Sequence, residues 1–268
     1  MNNLPELIQK YLRYCEGQRR LDSKTLKAYR IDLEQYCACF VDANISDITI
    51  PDIENYVTEM HDIYKPKTVK RKIASIKALY HYLEFQDLIS VNPFNKIRIH
   101  FRTPQTLPKT IPLHTIQTLL STMYREHRGA ATPFRHKKTL RDIATVEVLF
   151  STGIRISELC SLKKSDVDLY DGSILIFGKG AKERLIQIGS RDVLQLLIQY
   201  KQTFHREMEQ TGRFFVNPDA SPLSDQSVRR MLKKYCALSG IDLHITPHMF
   251  RHTFATSLLE ADVDIRYI

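Results

Sequence analysis

The amino-acid sequence predicts a mainly α-helical protein with one small antiparallel sheet, divided into two domains. Three observations carry this prediction. Apolar residues recur at three-and-four spacing from Leu4 to about Phe85. A basic, proline-punctuated stretch from Val91 to Pro112 then breaks the periodicity. Beyond it helical patterns return, interrupted once by two apolar segments that flank a Gly-Lys-Gly turn. The expected division is a helical domain over residues 1–91, a linker over 92–112 and a second domain over 113–268.

In the first domain, Leu4, Leu7, Ile8, Tyr11, Leu12 and Cys15 form the stripe of the first helix. Ser23 is suited to cap a second helix, whose stripe is Leu26, Tyr29, Leu33, Tyr36, Cys37 and Phe40. A third, shorter helix should follow Pro51 on Ile53, Tyr56, Val57 and Met60. The fourth should run from about Pro66 to Glu84 on Val69, Ile73, Ile76, Tyr80 and Leu83. Lys67, Lys70, Arg71, Lys77 and His81 fall on one arc of that helix, opposite its apolar stripe. A solvated polar face ordinarily mixes both signs of charge, yet no acidic residue occurs between Pro66 and Leu83. Lys67, Lys70, Arg71 and Lys77 are therefore expected to face DNA phosphates, which supply affinity rather than sequence choice.

In the linker, Asn92-Pro93, Thr103-Pro104, Leu107-Pro108 and Ile111-Pro112 alternate with Lys96, Arg98, Arg102 and Lys109, the composition of a basic, structureless tether. A helix over about Leu113–Arg125 and a basic loop over Arg128–Lys138 should follow. The next helix, about Thr139–Ser151, ends at Gly153, a natural C-cap, and a short helix spans Ile156–Leu162. Ser173–Phe177 and Arg184–Ile188 read as a hairpin around Gly178-Lys179-Gly180. Three helical patterns close the chain, over about Arg191–Glu207, Ser224–Ser239 and Pro247–Leu259.

Composition narrows the function. Lys plus Arg number 39 against 30 Asp plus Glu, a net charge of +9, which points to a polyanion and to nucleic acid first. No apolar run is long enough to span a bilayer, and the N-terminus lacks a signal-peptide core, so no membrane partner is expected. The five cysteines are odd in number and lack Cys-x-x-Cys spacing, which favours reduced thiols in a cytoplasm over disulfides or a metal site.

Two segments hold the chemistry: Thr152-Gly153-Ile154-Arg155-Ile156-Ser157-Glu158-Leu159, and Pro247-His248-Met249-Phe250-Arg251-His252 about a hundred residues on. Phosphodiester exchange passes through a phosphorane with extra charge on its non-bridging oxygens. Guanidinium groups match those oxygens bidentately and keep their charge, so Arg155 and Arg251 together would stabilise that state. His248 shares a helix face with Arg251, and an imidazole there can take a proton from an attacking hydroxyl. Lys179, between glycines at the hairpin tip, can approach a backbone and protonate a departing 5′-oxygen. Glu158 stands three residues after Arg155, where it either orients that arginine or serves only as a helical ion-pair partner. Each residue alone is more often a surface or structural group; their combination is what carries the reading. The glycine-lysine turn is not a P-loop, since the GxxxxGK[ST] frame and its helix are missing.

These motifs, TGIRISEL, GKGAKERLIQI and HMFRHTFAT in that order, resemble the tyrosine recombinases (phage integrases), in particular the Xer-like bacterial branch. The resemblance implies a SAM-like, helical core-binding domain at the N-terminus and a tyrosine-recombinase catalytic domain after it. It makes Arg155 and Arg251 the phosphate-clamping arginines, Lys179 in preference to Lys182 the general acid, and His248 the histidine of the HxxR pair, with Glu158 and His252 in support. It implies cutting and rejoining of double-stranded DNA through a 3′-phosphotyrosyl link, with no cofactor and no metal. A tetramer on two duplexes, a monomer away from DNA and a bacterial cytoplasmic, nucleoid-associated location complete the expectation.

The family's nucleophilic tyrosine follows a glycine-histidine motif, and both are expected beyond Ile268; Tyr267 comes too soon after Arg251 to fill that place. The catalytic domain is thus expected to lack its C-terminal part, and the chain to bind DNA without cleaving it. A non-catalytic decoy or regulator derived from a recombinase stands as the alternative. Type IB topoisomerases share the chemistry, but the compact HxxR context and small helical first domain favour a recombinase.

Overall fold

The computed structural model describes residues 3–40, 43–97, 109–178 and 183–262. It divides into two compact units, Met1–Thr106 and Leu107–Ile268, each closed around its own apolar core.

The first unit is built on α1 (Leu4–Gly17), α2 (Ser23–Cys39), α3 (Ile50–Ile63) and α4 (Pro66–Phe85). α4 packs against the other three, and Leu4, Leu33, Tyr36, Ile53, Ile76 and Leu83 are fully buried between them. Tyr36 and Tyr80 satisfy each other's hydroxyls at 2.8 Å. Asp22, not Ser23, caps α2: its carboxylate accepts from the main-chain N–H of Lys24 and Thr25, each at 3.0 Å. Ser23 becomes the first helical residue because the charged acceptor one place earlier satisfies two free N–H groups at once. At α3, Thr49 and Asp52 form a reciprocal cap, so the helix starts one residue ahead of Pro51.

The expected linker is partly folded. Asn92 caps a single 3₁₀ turn, Pro93–Asn95, and Phe94 and Ile97 are buried in the first core. Two apolar side chains three residues apart suffice to dock one turn. At the far end, Ile111 is buried in the second core. The intervening Arg98, Arg102 and Thr103-Pro104 lie outside the described residues.

The second unit contains α5 (Leu113–Arg128), α6 (Pro133–Thr152), α7 (Ile156–Ser161), α8 (Arg191–Thr203), α9 (His205–Thr211), α10 (Asp225–Leu238) and α11 (Pro247–Glu260). Its sheet is β1 (Val167–Asp168), β2 (Ser173–Phe177) and β3 (Glu183–Gln187), antiparallel in the order β1-β2-β3. α6 runs through the middle, with α5, α8 and α11 packed on it. Ile143, Ala144, Val146, Val148 and Leu149 are wholly buried, so its amphipathic stripe is lost to burial on all sides.

The basic loop expected over Arg128–Lys138 is instead mostly helix. Thr132 accepts from the Arg135 N–H at 3.2 Å, and Pro133, which lacks an N–H to satisfy, opens α6. The single helix expected over Arg191–Glu207 breaks at Phe204, whose ring is fully buried between α8 and α9. In the hairpin Ile174 pairs with Ile186 and Ile176 with Arg184. No helix among the described residues is long and apolar enough to cross a membrane.

Candidate active site

The end of α6 sets the site. Gly153 takes a left-handed conformation (φ 60°) that closes the helix, and a Cβ there would meet the Phe254 ring at 2.4 Å. Glycine is therefore required twice, by backbone conformation and by the close approach of α11. The turned carbonyl of Gly153 accepts from Arg251 Nη1 at 2.9 Å. The same turn leads to Arg155 in the N-cap position of α7.

Arg155 is held by Glu158. The Arg155 main-chain N–H donates to Glu158 Oε2 and its Nη1 to Oε1, both at 2.8 Å. Arg184, arriving from β3, donates Nη1 to Oε1 at 3.1 Å and Nη2 to Oε2 at 2.6 Å. Glu158 is 7% exposed, while Arg155 and Arg184 keep 47% and 36% of their side-chain surface open. Burial pushes the Glu158 carboxyl up, but the hydrogen bonds from Arg184 and Arg155 outweigh it and hold the group below the usual range. Burial, then repulsion from Arg155 and Arg184, lowers the Arg251 pKa against the opposing pull of Glu158. Two guanidiniums thus share one carboxylate, and a third, that of Arg251, lies within reach of their charge. Arginine stays protonated under such pressure, so the cluster keeps an excess of positive charge that an anion would relieve.

Of the residues expected to act, Arg155, Glu158 and Arg251 come together here. His248 is exposed one turn before Arg251 on α11, and His252 is exposed beside it. Lys179 and Lys182 lie outside the described residues, as does Tyr267. Arg184 was passed over as an ordinary strand residue. Its place was legible in the parity of β3, since it alternates with Ile186 and Ile188 on the inward side.

On α4, Lys67, Lys70 and Lys77 are exposed on one face as expected. Arg71 differs: its guanidinium pairs with the fully buried Asp32 of α2. Next to it Lys72, also buried, donates to Asp32 at 3.3 Å and lies 4.7 Å over the Tyr64 ring. Asp32 falls beside Leu33 and Tyr36 on the inward stripe of α2, and an acid there demands a cation from its neighbour. A second basic face went unread on α10, where Arg229, Arg230, Lys233 and Lys234 are exposed opposite buried Val228, Met231, Leu232 and Tyr235.

Three described tyrosines of the second unit are committed to other partners. Tyr124, Tyr200 and Tyr235 donate to Glu147, the Phe214 carbonyl and Asp142, and burial pushes all three phenols up. Tyr170 is exposed in the turn before β2, at the end of the strand remote from Arg184. Among the described residues no group of three His, Cys, Asp or Glu is arranged to hold a metal ion.

The fold and this cluster define a class. The phage integrase family matches residues 110–268, and its N-terminal SAM-like domain matches residues 8–86. The chain belongs to the phage integrase family, the tyrosine recombinases. It is 60% identical to a protein named tyrosine recombinase from Agathobacter rectalis, over 100% of this chain and 88% of that one. It is 34% identical to the tyrosine recombinase XerD of Listeria monocytogenes, over 98% of this chain and 88% of the relative. Among solved structures, XerH site-specific recombinase bound to its difH substrate has the same fold, with a TM-score of 0.77 at 18% identity, covering 99% of this chain and 88% of that one.

Proposed function

We propose that this chain binds double-stranded DNA and serves a site-specific recombinase that cuts and rejoins strands through a 3′-phosphotyrosyl link. Arg155 and Arg251 hold the non-bridging oxygens of one phosphate. His248 takes the proton of the attacking hydroxyl, Lys179 gives one to the departing 5′-oxygen, and Glu158 and His252 hold their neighbours in place. The observation that carries the reading is the pair of guanidiniums each fixed by its own anchor, Arg251 on the Gly153 carbonyl and Arg155 on Glu158, with open surface left on Arg155. Such preorganised charge costs nothing further when the phosphorane forms. The exposed lysines Lys67, Lys70 and Lys77 and the basic face of α10 supply phosphate contacts along the duplex. Assembly as a tetramer on two duplexes belongs to the same proposal.

The attacking tyrosine is proposed to be neither a described tyrosine nor Tyr267, which follows Arg251 too closely, so a polypeptide restricted to residues 1–268 is proposed to bind DNA without forming an adduct. On a duplex nicked to trap cleavage, that polypeptide should retard the DNA in a native gel and release it fully in denaturant. A polypeptide extended to supply the tyrosine should give a denaturant-resistant adduct, lost in Arg155→Ala and Arg251→Ala. An adduct from residues 1–268 alone would overturn the assignment of the nucleophile. Adduct yield unaffected by both arginine substitutions would overturn the clamp.

A further inference from the structure

We infer that Arg184 is a positioning residue of the phosphate site, fixing Arg155 and the base of the β2–β3 hairpin to α7 through the Glu158 carboxylate. The inference rests on the reading of Arg155 and Arg251 as the clamp. Arg184 is the second residue of β3, opposite Ile176, on the inward side of the strand. A cation turned inward needs a partner that arrives with it. Glu158 provides one, and the two branches of the guanidinium reach its two oxygens separately, at 3.1 and 2.6 Å. This planar fork fixes both the distance and the rotation of the strand end against α7.

The same two oxygens also accept from Arg155, each at 2.8 Å. With four donors on one carboxylate, Glu158 cannot move toward one arginine without releasing the other. Among the described residues the ladder ends on this side at Phe177 with Glu183, one residue from the anchored Arg184. Because Arg184 shares the carboxylate, Glu158 orients Arg155 without neutralising it alone. Lysine at position 184 would keep the charge but present a single point donor in place of the fork.

The test measures affinity of the 268-residue chain for a short fluorescent DNA duplex across a salt series, with hydrogen exchange on the same variants. Arg155→Ala should lower the salt slope by about one, the loss of one phosphate contact. Arg184→Ala should produce a similar loss through Arg155, and the double variant should lose no more than either alone. Combined with Arg251→Ala, by contrast, Arg184→Ala should remain additive. Arg184→Lys should recover part of the loss, and amides of residues 183–187 should exchange about tenfold faster in Arg184→Ala.

Full additivity of the Arg155 and Arg184 substitutions would make Arg184 an independent phosphate ligand and overturn the inference, as would an unchanged slope in Arg184→Ala. If Arg155→Ala and Arg251→Ala both leave the slope untouched, the clamp reading fails. Exchange then decides the role of Arg184 separately, and unchanged protection of 183–187 overturns it. Should Arg184→Ala fail to fold, Arg184→Lys and Glu158→Gln carry the same comparison: slopes equal to wild type in both would count against it.

Discussion

Each half of this molecule contains one buried carboxylate between two cations, and the two are put to different use. In the first unit Asp32 is wholly buried, and Lys72, 3% exposed, is sealed in with it. The Ser75 hydroxyl donates to the same carboxylate at 2.9 Å, and Tyr64 covers the ammonium. In the second unit Glu158 is nearly as buried, yet both of its arginines reach solvent. A carboxylate that is sealed in with one of its cations, Lys72, while the other, Arg71, keeps 47% of its side-chain surface open, joins α2 to α4. One whose cations stay open holds them still for a further anion. The enclosure of one cation, Lys72, rather than the count of charges, separates the fastener from the platform.

The sharpest way to break this contrast is Asp32→Ala, which leaves Lys72 buried with its charge uncompensated. It should destabilise the first unit by about 3–5 kcal/mol, read from urea unfolding of the whole chain. A loss below 1 kcal/mol would mean that the ammonium escapes to water and the cluster is not closed.

Gly153→Ala comes next, since it combines a left-handed backbone with a clash against Phe254. A cost of about 2–4 kcal/mol is expected from strain and overpacking together. It should also weaken DNA binding, because Arg251 loses its carbonyl anchor. Wild-type stability with reduced affinity would place the damage in the site alone.

Glu158→Gln should cost less, about 1–2 kcal/mol, because both partner arginines are more than a third exposed and screened by water. Its pH signature sharpens the comparison. The folded carboxyl lies below its ordinary value of 4.5, so its contribution is full above that pH and is lost as acidity rises through the lowered folded value. Unfolding free energies of wild type and Glu158→Gln should therefore differ at neutral pH and converge in acid. Curves that stay parallel through that window would refute the linkage.

The smallest effects on stability belong to Lys67→Gln, Lys70→Gln and Lys77→Gln, each within about 0.5 kcal/mol of wild type. Each should still reduce the salt dependence of DNA binding, by up to about one phosphate contact. Arg71→Gln should instead disturb stability through Asp32, and equal behaviour of all four would erase the distinction drawn for Arg71.

Much of this was legible in the residues, and the misses have physical causes. Apolar stripes placed the helices of the first unit, because burial of one face is what stabilises a helix in a protein. By contrast α6, buried on all sides along its second half, was legible without its first turns. Ends were harder to place. Asp22 and Ser23 both have capping side chains, and only the final direction of the chain decides between them. The break at Phe204 carries no glycine or proline, since a buried ring rather than a backbone signal turns the chain. At the site, Arg155 and Arg251 stood out because motifs frame them. Arg184 and Lys72 did not, because each owes its place to an acid distant in sequence, at Glu158 and Asp32. A long-range ion pair leaves only an unexpected charge on an inward stripe as its trace.

The bond from Arg251 to the Gly153 carbonyl joins residues 98 positions apart. A ribosome delivering this chain completes Arg155, Glu158 and Arg184 well before it reaches α11. The emerging polypeptide therefore carries Arg155 and Arg184 long before Arg251 exists, and the proposed phosphate site stays incomplete until α11 has been made.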